Sequence, residues 1–221
     1  MEIELKVEAV SPLHLGGGQG DVNIDAEVIC DRYGIPYFPG RRFKGLLYES
    51  AKEVGEMMAR SGQELPATET LDELFHHDTD AVDAQLIIPN LYMWPRKEYQ
   101  QIRRGCAALQ RKYPGLFTPR DILEQYTSLR YQTKLTNGIA AEGSLHNMRV
   151  VDEGLTFTGI MELTGENAPD YLPLLALATR NLRRAGLKRN RGFGRLACSF
   201  TVLDGSRKGQ RDASLIKEVW R

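Results

Sequence analysis

The sequence is poor in the residues that build zinc sites or disulfide frameworks, with four histidines and three cysteines among 221 residues. Cys30, Cys106 and Cys198 are far apart and odd in number. No CxxC or Cys/His pair has zinc-ligand spacing, so reduced thiols in a cytoplasmic protein are expected. No apolar run approaches the ~20 residues that span a bilayer, and the chain begins directly on a strand pattern without a signal peptide, so no membrane partner is expected. Net charge is also missing, because Lys+Arg and Asp+Glu both total 29. That balance does not exclude nucleic acid, since a local patch decides electrostatic binding. Residues 180–221 hold twelve Lys/Arg against three acids, a net +9, so acids must dominate elsewhere. A hydrophobic content of 42% with 26% charged residues belongs to a globular protein with a sizeable core.

The organisation along the chain follows from periodicity. Ile3, Leu5, Val7 and Ala9 alternate with Glu4, Lys6 and Glu8, the pattern of a half-buried strand. Residues 11–21 (SPLHLGGGQGD) break regular structure, and 22–30 resume the alternation. After the turn at 31–34, apolar residues at helical spacing (Phe43, Leu46, Leu47, Ala51, Val54, Met57, Met58) predict a helix over about 41–60. Residues 84–94 read as a strand that Pro89 confines to an edge or a bulge. Helices are expected at 97–112 and 119–128, an exposed protrusion or long loop at 129–148, a strand within 150–163, a helix at 171–184 and a strand at 196–203. Stripped of insertions this is β-α-β-β-α-β, an α+β, ferredoxin-like (RRM-like) arrangement. The aromatic RNP1 signature of RNA-recognition modules is missing, so base stacking on the sheet is not indicated.

One stretch, 183–196 (RRAGLKRNRGFGRL), interleaves Gly186, Gly192 and Gly194 with Lys188, Arg189, Arg191 and Arg195, with Phe193 between the last two glycines. Glycines allow close backbone approach, and cations around successive N–H groups favour phosphate. The same composition also suits a soluble helix-to-strand turn. A second basic group, Arg41, Arg42 and Lys44, follows Pro39-Gly40 at a helix start, where phosphate can meet terminal N–H groups. The HHDTD stretch at 76–80 has no metal-binding spacing and reads as a loop, and Ser144-Leu145-His146 lacks a hydrolase context.

Taken together, SPLHLGGGQGDVNID, GIPYFPGRRFKGLL and RNRGFGRL resemble the RAMP superfamily of CRISPR effector proteins. The match is closest to the guide-binding backbone subunit of type III complexes, and it spans almost the whole chain. The resemblance implies a single RAMP-type domain over 1–221, with a ferredoxin-like core at about 1–60, 84–94 and 150–203. Insertions at 61–83 and 95–149 would form a helical lobe and a thumb near 128–150. It departs from the family pattern where two arginines replace small hydroxyl residues after Pro39-Gly40, and where Ala185-Gly186 replaces a paired glycine. By this resemblance His14, Arg41, Arg42, Lys44, Lys188, Arg189, Arg191, Gly192, Phe193, Gly194 and Arg195 contact RNA. Asp25 best matches the family's catalytic aspartate, Asp21 is the runner-up, and Asp31 reads as the turn residue.

The activity so implied is endonucleolytic cleavage of guide-paired target RNA with a divalent metal, Mg2+ or Mn2+, held by Asp25. In-line attack by the 2′-hydroxyl would leave a 2′,3′-cyclic phosphate and a 5′-hydroxyl. Leu129, Tyr131, Leu135, Ile139 and Leu145 of the thumb could wedge between base pairs, offsetting an unstacking cost of a few kcal/mol. The implied partners are guide CRISPR RNA, target RNA, further copies of the chain and other effector subunits. Two alternatives stay open: a noncatalytic backbone or capping subunit, and a ribonuclease that processes the guide precursor.

Overall fold

The computed structural model describes residues 1–18, 24–63, 65–75, 84–133, 135–136 and 139–219; Asp21 and the 76–80 stretch lie outside them. The first half of the chain forms β1 (Glu2–Ala9), β2 (Tyr37–Phe38), α1 (Gly40–Arg60), α2 (Leu71–Phe75), β3 (Gln85–Ile87), β4 (Leu91–Tyr92) and α3 (Arg96–Lys112). The second half forms α4 (Pro119–Glu124), β5 (Thr127–Gln132), β6 (Leu135–Thr136), β7 (Ile139–Ala140), β8 (His146–Val151), β9 (Thr156–Thr164), α5 (Leu172–Asn181), β10 (Leu196–Val202) and α6 (Asp212–Val219).

The main sheet runs β10-β1-β9-β4-β2, with β3 also paired to β9, and every pairing in it is antiparallel. The alternation of β1 decides its two faces. Ile3, Leu5, Val7 and Ala9 are fully buried beneath the helices, with Phe157, Met161, Cys198 and Phe200 on the same side. α1 packs beside α5 on that face, with α6 next to α5. Phe43, Leu47, Ala51, Val54 and Met58 form the buried stripe of α1, as the helical spacing predicts. Phe38 meets Phe43 and Phe157 edge-on, with centroids 5.5 and 6.2 Å apart. Each fully buried phenylalanine stabilises the core by roughly 2 kcal/mol. A smaller cluster of Tyr33, Ile35, Tyr99, Cys106 and Ile122 anchors α3 and α4 to the turn at 31–35.

Some expectations change. Residues 22–30 do not form a strand where described: 24–30 meet their neighbours only at isolated bridges, such as Gly16 with Val28. Residues 129–148 form an exposed protrusion, one of the two readings, but as a paired hairpin rather than a long loop. β5 and β8 pair in register from Thr127–Val151 to Gln132–His146, with β6 and β7 paired beyond them. No core period marks this hairpin because its outer part has solvent on both sides. Tyr131, Ile139 and Leu145 are 62–74% exposed. Residues 84–94 split into β3 and β4 around Pro89, α4 stops at Glu124 rather than 128, and α6 is an additional helix at the C-terminal end.

All three cysteines are free thiols. Burial pushes the Cys198 thiol up to about 12, so it stays protonated and unreactive.

Candidate functional site

The segment leaving β1, residues 24–30 and the basic loop far along the chain are stitched together by hydrogen bonds, most of them main-chain. The segment leaving β1 bonds to the end of β8 through Leu13 N–H to Val151 O (2.9 Å) and Val151 N–H to Leu13 O (2.8 Å). Residues 24–30 lie between that segment and β8. Gly17 N–H donates to Glu27 O, Ile29 N–H to Leu15 O, and Arg149 N–H to Ala26 O, all within 2.9 Å. The basic loop docks on the same segment from the other side, through Gly194 N–H to Pro12 O (2.9 Å) and Arg195 N–H to Ser11 Oγ (2.9 Å).

Two of the loop's glycines are needed for this docking. A Cβ on Gly194 would stand 1.9 Å from Ala185 O, and one on Gly186 would stand 2.4 Å from His14 O. Both have φ in the left-handed region, at 74° and 77°. Gly192 differs, since nothing lies near its Cβ position, although its φ is 83°. Lys188 is the one non-glycine residue with positive φ (55°) among the described residues. It opens the tight turn at Arg189–Arg191.

The stitching leaves a cleft of about 540 Å³ whose walls include His14, Gly16, Asp25, Arg42, Gly186 and Arg189. It thus joins one or more residues from each of the three sequence motifs. Arg42 reaches across α1's N-terminus to Gly16 O (3.1 Å), and Arg41 beside it is exposed. Gly40, which starts α1, sits against the chain at Pro89. A Cβ there would come within 2.3 Å of both Ile88 O and Pro89 O, and Asn90 Oδ1 caps its N–H at 3.0 Å.

The other candidate residues have diverse settings. His14 is buried, and its Nδ1–H donates to Arg149 O at 2.7 Å. Lys44 turns away from the cleft wall and donates to Leu86 O at 2.8 Å, and burial pushes its pKa down. Lys188 and Arg191 both reach Gln132 Oε1 at the end of β5, at 2.6 and 3.4 Å. Phe193 is half-buried and the Arg195 side chain is exposed. Asp31 is the turn residue expected, accepting from Tyr33 N–H, Ile35 N–H and Tyr99 O–H.

Asp25 is held by β8. Its N–H donates to Asn147 Oδ1 (2.9 Å), and its Oδ2 accepts from Asn147 N–H (2.8 Å). His146 Nδ1 lies 3.6 Å from the same oxygen, and the carboxylate is 59% exposed. Glu27, the other carboxylate in the cleft wall, is engaged by Arg149 at 3.0 Å. Arg149 is only 3% exposed and also meets Thr127 Oγ1 (3.1 Å) and Glu124 (3.7 Å). Neither Asn147 nor Arg149 stands out in the sequence. Each meets its partner across 122 residues, and no local pattern announces the contact.

Among the described residues no three His, Cys, Asp or Glu side chains gather closely enough to hold a metal by themselves. Asp25 Oδ1 has no protein partner among the described residues. A single free carboxylate oxygen suits a hydrated Mg2+ or Mn2+ completed by phosphate oxygens, rather than one caged by protein. No helix among the described residues is long and apolar enough to cross a membrane.

The fold has counterparts among solved structures. One chain in a cryo-EM structure of Type III-B Cmr-beta bound to cognate target RNA is 11% identical, with a TM-score of 0.56, covering 98% of this chain and 99% of that one. A chain in a cryo-EM structure of Type III-B Cmr-beta in the apo state is 10% identical, with a TM-score of 0.58, covering 90% and 97%. Comparison with curated proteins gave no match. At these identities the likeness is one of fold, a mixed α/β domain with an antiparallel sheet and helices. A family model, however, matches residues 6–197, from β1 through the basic loop into β10, and this chain belongs to the RAMP superfamily.

Proposed function

We propose that this protein is a guide-RNA-binding backbone subunit of a type III CRISPR effector complex, and that Asp25 directs cleavage of the paired target RNA. The observation that carries this reading is that Asp25 shares one cleft with Arg42 and Arg189, which come from the two basic motifs. In this reading the main sheet is a ferredoxin-like palm, supported by the order β10-β1-β9-β4 with α1 and α5 on one face. The β5–β8 hairpin is the thumb, and its exposed Tyr131, Ile139 and Leu145 are the candidate wedges.

The chemistry assigned to the cleft is modest. Arg42 and Arg189 hold phosphates, and Asn147 fixes the Asp25 carboxylate so that its free oxygen faces solvent. The 2′-hydroxyl gives its proton to water as its oxygen attacks the adjacent phosphorus, the P–O5′ bond breaks, and the 5′-oxygen takes a proton from water. The products are a 2′,3′-cyclic phosphate and a 5′-hydroxyl. A hydrated Mg2+ or Mn2+ on Asp25 would neutralise charge developing on the phosphate.

Asp25→Ala in the assembled complex should lower target cleavage by about 100-fold or more while guide and target affinities stay within about 2-fold. Undiminished cutting with the variant would sink the catalytic assignment. One observation favours a noncatalytic subunit instead: the Asp25–Asn147 clamp would tie loop to hairpin with or without chemistry. In that case Asp25→Ala lowers the melting temperature and the wild-type complex cuts no target.

A further inference from the structure

The helix α3 carries a charge pattern that the cleft does not use. Over Arg96–Lys112 it has six cations, Arg96, Lys97, Arg103, Arg104, Arg111 and Lys112, and one acid, Glu98. Arg103 is accounted for, since it pairs with Asp31 at 3.4 Å and lies over the rings of Tyr33 and Tyr99. The other five are exposed and have no ion-pair partner among the described residues. Lys97, Arg104 and Arg111 recur every seven residues, which places them in one stripe about 21 Å long.

Helix stability does not explain this arrangement. Arg111 and Lys112 suit a C-terminal turn, but Arg96 and Lys97 crowd the N-terminal turn. There the macrodipole disfavours cations by about 0.3–1 kcal/mol each. The solvent face of α1 shows the ordinary alternative in the same molecule. Its Glu49, Lys52, Glu53, Glu56 and Arg60 mix both signs, and Arg60 lies 3.8 Å from Glu56. α3 has no such compensation. Just past its end, Tyr113 is 43% exposed with Lys112 over its ring at 5.2 Å, an aromatic surface on which a base can stack.

We propose that the exposed face of α3 is a second, sequence-independent contact for an RNA phosphodiester backbone, separate from the cleft. It rests on the proposed function only for the identity of the polyanion. Unpaired like charges in a stripe fit a ligand that carries phosphates in a row, and each cation so engaged releases condensed counterions. Protein partners are disfavoured because the stripe between the cations is flanked by Gln100, Gln101, Ala107 and Ala108, with little apolar area to bury; the exposed Leu109 lies on another side of the helix and Leu116 beyond its end.

The test uses the full chain and a fluorescein-labelled RNA of mixed sequence, single-stranded in one arm and paired to its complement in the other. Anisotropy is followed across a salt series. Reversing Lys97, Arg104 and Arg111 to glutamate should weaken binding about 10-fold or more and flatten the log–log salt slope by about 2, with the larger loss marking the preferred form of RNA. The neutral Lys97→Gln, Arg104→Gln, Arg111→Gln variant should shift in the same direction by less, and it guards against misfolding of the first. Wild-type affinity and slope in both folded variants would overturn the proposal, as would a wild-type chain that binds neither RNA. A change in self-association by sedimentation with RNA affinity untouched would overturn it too, making α3 a protein contact. An Arg189→Glu, Arg191→Glu variant run in parallel separates the two ideas. If it alone leaves binding unchanged, the cleft reading fails and the α3 surface stands.

Discussion

β1 connects two surfaces of opposite character. On the side away from the helices it carries Glu2, Glu4 and Glu8 around a single Lys6, and Glu2 stands directly opposite Glu162 on β9. Where the same strand ends, its exit segment becomes the floor of a cleft rimmed by Arg42 and Arg189, with exposed Arg183, Arg184, Lys188, Arg191 and Arg195 around it. The open sheet face is where a fold of this topology can stack bases, but on β1 it is acidic, and its β9 and β10 positions hold Thr158, Ile160, Ser199 and Thr201 rather than aromatic rings. By charge alone, phosphate would be repelled there and attracted at the rim. A neutral chain can therefore present a polyanion site, because strand alternation and loop placement sort its charges to different surfaces.

The comparison breaks most sharply at the glycines that build the rim. Gly194→Ala should cost about 3 kcal/mol or more in urea unfolding, since left-handed strain adds to a main-chain collision, whereas Gly192→Ala should cost about 1 kcal/mol. Equal costs would mean that the rim is not held by the Gly194–Ala185 approach. Charge reversal separates the surfaces functionally. Arg189→Glu with Arg191→Glu should weaken RNA binding about 30-fold and flatten the salt slope by about 1.4, whereas Glu4→Lys with Glu162→Lys should not weaken it. Binding that responds to the sheet pair and ignores the rim pair would invert the assignment. The smallest effect is expected far from both surfaces, at the α4 cap. Hydrogen bonds from Thr118 hold the Asp121 carboxyl below its usual range, so this cap is intact above the unfolded carboxyl pKa and is lost as pH falls through the lower folded one. Thr118→Val should lower stability by about 1 kcal/mol at neutral pH, with the difference from wild type shrinking in acid. A pH-independent difference would remove Asp121 from the account.

Much of this was legible along the chain. The β1 alternation and the α1 stripe appear in the structure as their periods require, because each buries one face against the same core. The three motifs were legible as separate pieces, and so was the charge excess of the basic segment. Other features were not. The β5–β8 hairpin escaped because its outer part, wetted on both sides, has no apolar period, and residues 24–30 alternate like a strand without a ladder to join. The tail's net charge also overstated its free cations, since Arg180 pairs with Asp212 at 2.5 Å and Arg207 with Glu218 at 2.6 Å.

By itself, then, the sequence determined the local periods, the turns that glycine allows, and the clustering of basic residues. Those depend on neighbours in the chain or on the backbone of one turn. Only the tertiary structure decided that Asp25 faces Asn147 and His146, that Lys44 turns to Leu86 instead of the cleft, and that Arg149 lies buried behind Glu27. Those outcomes rest on hydrogen bonds between groups 42 to 122 residues apart. Such partners become neighbours only once the sheet has brought the loops to one edge.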